Sequence, residues 1–422
     1  MPVLATARCI TCAVALACLS LATSVAAEPL PLDEAEALAL AQEPGREALL
    51  ARAQALDSVA IARSQLPDPS LRLGLANVPI ESGGFRTEGM TQVQLGLRQA
   101  FPPGATLKLR EREYELLSRE LVESAEGRRR EVLESVRRAW LGAYYWGQAA
   151  RIIGDSKPFF DDLVTVTGSL YQVGQKSQQD VLRAELELSR LEERLISIDE
   201  QRAAAVAALA EWVGGSARRP VAGDLPAWEV DASLEALTEA LTEHPALRSA
   251  QARIDAQGAA TDVARQRYKP GWAVDLGYGY RDGGLPNGES RSDFVSVSVT
   301  VDLPFFTANR QDREVAAAVA QEGAAVGTRD ALLRQLKSRL DGQFARSQHL
   351  ERQIDLYQQA ILQQSEEHAQ AALSAYRSEA GDFADVMRGY IDDLNARLEL
   401  VRLRVERAKA LAALANLGGL SL

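Results

Sequence analysis

Thiols, imidazoles and clusters of positive charge are scarce in this chain. Cysteine occurs three times in 422 residues, at Cys9, Cys12 and Cys18. All three fall within residues 1–27, which read as a secretory signal peptide. Arg8 is the only charge there, an apolar run covers Ile10 to Leu21, and Val25, Ala26 and Ala27 suit a signal peptidase. A chain cleaved at that point has no thiol, which excludes disulfides and cysteine-ligated metals. Acylation of Cys18 is the alternative, and Ala15, Leu16 and Ala17 make a poor lipoprotein signal before it.

The histidines, His244, His349 and His368, are scattered and read as helix caps or solvated helix residues. Beyond the signal only Met90 and Met387 carry thioethers, so one chain cannot build a soft-ligand relay. No glycine-rich stretch has phosphate-binding spacing, and no nucleophile or paired-acid motif stands out. The sequence therefore implies neither an enzyme nor a cofactor. The formal charge of −11, without a basic block, argues against a nucleic-acid partner. No run of about 18 apolar residues follows the signal, so no transmembrane helix is expected. An exported chain of this kind is either soluble in the periplasm or inserted as a β-barrel.

What the chain does have is a tandem repeat. Residues 28–215 and 231–422 read as two versions of one unit, separated by a linker at 216–230 with Pro220, Gly223 and Pro226. Glu43-Pro44 is matched by His244-Pro245, Ala62-Arg63 by Ala264-Arg265, and Pro102 by Pro304. Several unlike features agree in order, which chance rarely produces. Each unit has two alternating stretches, at about 70–78 and 90–101 and again at about 271–281 and 293–303. Leu71, Leu73 and Leu75 alternate with polar or small residues, as do Val295, Val297, Val299 and Val301. Period-two alternation gives each strand one apolar and one polar face. Lengths of about 9–11 residues suit a tilted bilayer crossing. Trp272, Tyr278 and Tyr280 lie on the apolar side, where a lipid-contacting girdle would be. Arg72, Arg98, Asp275 and Asp302 fall on the polar side as candidate lumen residues, mixed in sign.

The remainder is helical and too long for a compact domain. No proline follows Pro304, and the stretch from about Asn309 to Tyr376 could run unbroken for roughly 100 Å. The matching stretch of the first unit is expected to kink between Gly154 and Pro158. Later segments are heptadic: Ala184, Leu191 and Ile198 share a seam, as do Met387, Leu394 and Val401. Between the long helices lie two related tips, Tyr171 to Arg183 and Tyr376 to Arg388. Ser177 with Asp180, and Asp382 with Asp385, fit a helix-capping pattern, and Gly174 and Gly381 supply the tight turns.

Four amphipathic strands cannot close around a lumen, and lipid does not tolerate open sheet edges. Two copies would supply eight strands and a filled interior; three would supply twelve and a water-filled bore. The expected fold is thus mainly α with a transmembrane β-barrel. Long antiparallel coiled-coil helices would form an α-barrel, and four strands per protomer would be completed as twelve in a homotrimer. A small soluble sheet on a non-conducting periplasmic scaffold is the competing reading.

On the tip motif Tyr171, Gly174, Asp180, Val181, its relative from Tyr376, and the proline after the second strand of each unit, the chain resembles the TolC-like outer-membrane efflux proteins. The segments Gln65 to Pro79 and Gln99 to Gly104 are most similar to the heavy-metal branch. The resemblance implies a bacterial outer-membrane trimer with a long periplasmic extension. It would contact outer-membrane lipid, a periplasmic membrane-fusion adaptor and an inner-membrane pump of RND type. Such a channel makes and breaks no bond; drug efflux or type I protein secretion are the other cargo classes. The resemblance also implies a tip gate involving Tyr171, Gly174, Asp180, Arg183, Tyr376, Gly381, Asp385 and Arg388. This sequence departs from the pattern: Arg388 stands where an acid is expected, and the basic residue expected near Gly381 is missing. Arg388 is expected to pair with Asp385 or Asp180, and three Asp385 side chains would draw cations to a constriction.

Overall fold

A computed structural model describes residues 28–420. The expected signal peptide, with its three cysteines and the question of acylation at Cys18, lies outside the described residues. Element order repeats across the chain. The first half runs α1 (Leu32–Gln42), α2 (Pro44–Ser64), β1 (Ser70–Ala76), β2 (Gln92–Phe101), α3 (Thr106–Gln172) and α4 (Gln178–Val213). The second runs α5 (Leu234–Ala240), α6 (Pro245–Gln266), β3 (Trp272–Tyr280), β4 (Phe294–Val301), α7 (Gln311–Leu356), α8 (Leu362–Arg377) and α9 (Phe383–Gly418).

The four strands make one antiparallel sheet in the order β1-β2-β3-β4. Register keeps the alternation in phase across it. Leu73 faces Leu95, Leu95 faces Tyr278, and Tyr278 faces Val295. One face is therefore continuously apolar, and it is bare: Leu73 is 72% exposed and Val295 73%. The edge strands span 7 and 8 residues, shorter than the 9–11 read from the alternation. β1 begins directly after Pro69, which has no amide to add to the ladder, although β2 runs on to Phe101.

Below the sheet, α3 extends for 67 residues, about 100 Å at 1.5 Å per residue. It runs through Pro158 without a break in the helix. Instead the second half is interrupted, by a single π-helical turn at Tyr357–Ile361 between α7 and α8. The cause is a one-residue difference in length. Above that turn the buried residues Val132, Val136 and Ala143 of α3 are matched by Leu336, Leu340 and Ser347 of α7. Below it Tyr171 is matched by Tyr376, one residue further along. A π-turn is how an α-helix absorbs one inserted residue without losing register at its ends. The two halves thus reach the tip in phase.

Besides a small cluster of Leu116, Ala256 and Ala259, three apolar cores hold the helices together. The first gathers α1, α3, α4 and the connection after α4 around Trp140, which is 1% exposed. The indole of Trp140 donates to the carbonyl of Leu30 at 3.0 Å, while Leu30 itself bridges in parallel to Val221. A second core, of Leu237, Leu241, Leu340 and Leu414 among others, joins α5, α7 and α9. The third fills the seam between the hairpins near the tip, where Ala184, Leu191 and Ile198 meet Met387 and Leu394. Among the described residues no helix is long and apolar enough to cross a membrane.

Candidate functional site: a polar trough and a paired-hairpin tip

The sheet face opposite the apolar one forms a polar trough lined by Arg72, Gln92, Gln94, Arg98, Asp275 and Ser298. Arg72 lies opposite Gly96. Arg98 lies opposite Asp275, with guanidinium and carboxylate 3.6 Å apart, so two of the four candidate lumen charges offset one another. Asp302 sits just past β4, where its amide donates to the Gly271 carbonyl at 2.8 Å. At the far end of the strands the two loops are stitched together. Arg86 pairs with Asp282 at 2.7 Å, the Arg281 guanidinium donates to the Gly89 carbonyl at 3.2 Å, and that of Arg291 to the Glu88 carbonyl at 3.1 Å. Arg281 and Arg291 were not singled out from sequence, because their partners are backbone carbonyls, which leave no pattern.

At the opposite end the two tips share a backbone. α3 closes with the Gly174 amide on the Tyr171 carbonyl and the Gln175 amide on the Leu170 carbonyl, both 2.9 Å. α8 closes with the Glu379 amide on Tyr376 at 3.2 Å and the Ala380 amide on Ala375 at 2.9 Å. This bond pair requires a left-handed residue after the helix. Gly174 fills it at φ 75°, but its counterpart is Glu379 at φ 61°, not Gly381 as the sequence suggested. Gly381 is small for another reason: a Cβ there would lie 2.9 Å from the Cβ of Ala375. Glycine adopts the left-handed region freely, whereas a side chain costs roughly 1–2 kcal/mol there. Glu379→Gly is therefore expected to stabilise the second hairpin by up to about 1 kcal/mol, since glycine's looser unfolded chain offsets part of the gain. Thermal unfolding of the purified variant checks this.

The caps differ as well. Ser177 and Asp180 form a reciprocal box, with the Asp180 amide donating to the Ser177 hydroxyl and the Ser177 amide to the Asp180 carboxylate, each at 3.3 Å. Asp382 occupies the corresponding cap position but makes no side-chain cap, which corrects the paired-cap expectation. Asp180 is thereby committed to its own helix start. Arg388 lies 3.5 Å from Asp385, one turn along α9, and both are well exposed. Such a pair contributes little on its own. Arg183 is half-buried on α4.

Tyr376 and Tyr171, equivalent in the repeat, have different surroundings. Tyr171 is 45% exposed, whereas Tyr376 is 5% exposed and packs edge-on against Phe383 at 5.6 Å. Burial and the nearby Asp180 charge raise the Tyr376 phenol above its ordinary value. Lys176, from the other hairpin, holds its ammonium 4.1 Å from the centre of the Tyr376 ring. That cation–π contact joins the hairpins of one chain, and Lys176 was missed from sequence. The signal was available: in tip register Lys176 aligns with Gly381, the place where a basic residue was noted as absent. Further up the seam Phe159 of α3 stacks on Tyr390 of α9 at 3.7 Å. Among the described residues no cluster of three metal-ligating side chains occurs.

The chain thus joins a sheet with one bare apolar face to long helices that end in two matched hairpins. Residues 236–420, within the second repeat, match the family model described as outer membrane efflux protein. Protein CyaE of Bordetella pertussis is 28% identical over 298 residues, which cover 66% of this chain and 61% of that protein. The match thus spans less than two thirds of that protein's length. Among solved structures, a membrane protein from Pseudomonas aeruginosa superposes with a TM-score of 0.79 at 17% identity over 92% of each chain. The outer membrane protein VceC from Vibrio cholerae gives 0.77 at 19% identity, over 92% of this chain and 96% of that one. These likenesses show that the chain shares the fold of those two proteins over 92% of its length.

Proposed function

We propose that this protein is the outer-membrane channel of a tripartite efflux system. Three copies would pool their strands into a twelve-stranded barrel, and their helices would continue the bore across the periplasm. A single observation carries the reading: a four-stranded sheet bares one apolar face and leaves both edges, β1 and β4, without partners. In water that face would aggregate, and in lipid those edges would leave backbone groups unsatisfied. Closure with identical copies removes both problems. The channel is passive; a periplasmic adaptor and an inner-membrane pump of RND type would open the tip and drive export. Heavy-metal cations are the proposed cargo, supported by the segments Gln65 to Pro79 and Gln99 to Gly104 and by the net negative charge.

The detergent-purified protein is expected to migrate as a trimer and to conduct ions in a planar lipid bilayer. A water-soluble, non-conducting monomer would refute the reading. Cargo is tested separately: a deletion strain sensitised to metals but not to drugs supports metal export, and the reverse pattern assigns drugs.

A further inference from the structure

The last turns of α9 lie between α3 and α7 and have two unlike sides. Val405 and Ala408 share a core with Val136 and Trp140 of α3, while Leu411 and Leu414 share one with Leu336 and Leu340 of α7. Ala408 and Leu411 also border the connection at Leu225, Pro226 and Trp228, which covers that side. At 3.6 residues per turn, Glu406, Lys409, Ala410 and Ala413 lie on the opposite side. There they floor an open groove of about 400 Å³, midway along α3. The inference drawn from it rests on the trimeric channel proposed above, in which the uncovered side of the helical layer lines the bore.

The groove is basic. Arg138 of α3 forms one wall, Arg339, Gln343 and Arg346 of α7 form the other, and Lys409 is on the floor. Among the described residues, two carboxylates line the groove with these four cations. Glu134, 7% exposed, lies 2.5 Å from Arg339 and 3.8 Å from Arg138, and it also accepts from the Asn416 amide. Glu406 lies 2.5 Å from Arg346 and 2.9 Å from Lys409. Two positive charges in each chain are therefore left over. One turn below on the same side of α9, Glu399 and Arg402 offset each other at 2.5 Å, so that pair does not draw off the excess. Arg138 and Arg346 are 62% and 52% exposed, and a guanidinium has five N–H donors, enough for a second acceptor. A concave wall concentrates the field of such charges. Arg339 and Arg346 stand two turns apart on α7, which suits a ligand with more than one anionic group better than a single chloride.

We propose that this groove binds small polyanions carrying phosphate or carboxylate groups, and that three grooves form a basic belt halfway along the bore. Its sign is opposite to that of the chain as a whole, whose formal charge is −11. A free metal cation is repelled at this level until an anion occupies the belt, so polyanion binding and metal passage are coupled.

Calorimetric titration of the detergent-purified full-length protein with inorganic pyrophosphate, and with citrate as its carboxylate counterpart, tests the site at low salt. Arg346→Gln and Lys409→Gln should each weaken binding at least fivefold. Glu406→Gln releases both cations from their shared carboxylate and should tighten binding at least threefold. Damage to the fold cannot produce opposite signs from neighbours in one groove. Arg190→Gln, from an exposed pair with Glu187 on α4, should leave binding unchanged. In planar bilayers pyrophosphate should lower the wild-type current and leave that of Arg346→Gln nearly unaltered. Wild-type protein that binds neither anion would overturn the proposal, as would Glu406→Gln and Arg346→Gln shifting affinity in the same direction. The groove lies within one chain, so its fate separates from that of the assembly. A conducting trimer indifferent to both anions sinks the belt alone, whereas a non-conducting monomer that still binds them sinks the channel and keeps the anion site.

Discussion

Val297→Arg will deplete the outer membrane of assembled protein, whereas Ser298→Arg, one residue along the same strand, will leave assembly intact and change the current. Val297 faces Leu276 and belongs to the bare apolar face; Ser298 faces Asp275 and lines the trough. An arginine facing lipid near the middle of a barrel strand costs about 2–4 kcal/mol. In the trimer proposed above that cost recurs three times, which rivals the whole stability of a typical domain. The lumen substitution incurs no such penalty, because its head stays in water beside a carboxylate. It adds positive charge where Arg98 and Asp275 now offset one another, so anion permeability should rise relative to cation permeability. Membrane fractionation with unheated SDS gels measures the first effect, and reversal potentials in a salt gradient measure the second. Wild-type assembly of Val297→Arg would mean that this face never meets lipid.

That contrast rests on alternation, which is why the sheet was legible in the sequence. A period of two needs only neighbouring residues to be seen, and the apolar positions fell into a common face once register was known. The heptad seams of α4 and α9 were legible for the same reason, with Ala184, Leu191, Ile198 and Leu394 all buried. What could not be read were features set by length or by contact. The π-turn at Tyr357–Ile361 absorbs one residue within a long polar helix, and no proline or glycine marks it. Pro158 was the visible punctuation, yet α3 passes through it, because a helix packed on both sides can lose one backbone bond without breaking.

The tip was half legible for a similar reason. Gly174 announces a left-handed turn, but Glu379 occupies the same conformation against its own preference, and the nearby Gly381 drew the eye. Asp180 was correctly placed in a capping box, whereas the matching Asp382 leaves its helix start without a side-chain bond. Lys176 acquires its partner only when two hairpins from distant parts of the chain are set side by side. The divergence between repeats is itself informative. Where both halves meet the same demand they keep the same atoms, as in the paired backbone bonds of the two turns. Where they have drifted, as at Lys176 and Gly381, the same backbone carries different side-chain contacts.

His244 shows that drift in a form that acid should expose. It caps α6 by accepting the Ala246 amide on Nδ1 at 3.2 Å, the role that Glu43 plays for α2 with the amides of Gly45 and Arg46. Glu43 is compensated by Arg128 at 3.0 Å, but His244 is buried with its Nε2 unpartnered and has Arg130 of α3 and Arg339 of α7 around it. Burial first, then those two cations, hold its pKa down to about 4 from an ordinary 6.5. The unfolded chain therefore binds a proton more readily than the folded one between those values, so stability should fall as pH drops through that window. At pH 4.5 the loss should reach about 2–3 kcal/mol per protomer, taking about 1.4 kcal/mol per pH unit. The carboxylates held low, among them Glu43, Glu126 and Glu399, lose their contribution only as pH falls below the usual carboxylate range. Glu113, whose carboxyl is raised by burial, works in the opposite direction as pH falls, so the share of the imidazole is the difference between wild type and a variant that lacks it. His244→Asn keeps a neutral acceptor for the Ala246 amide and removes the titration. Between pH 6.5 and 4.5 its melting temperature in detergent should decline less than that of the wild type. Parallel declines would place the acid sensitivity elsewhere in the molecule.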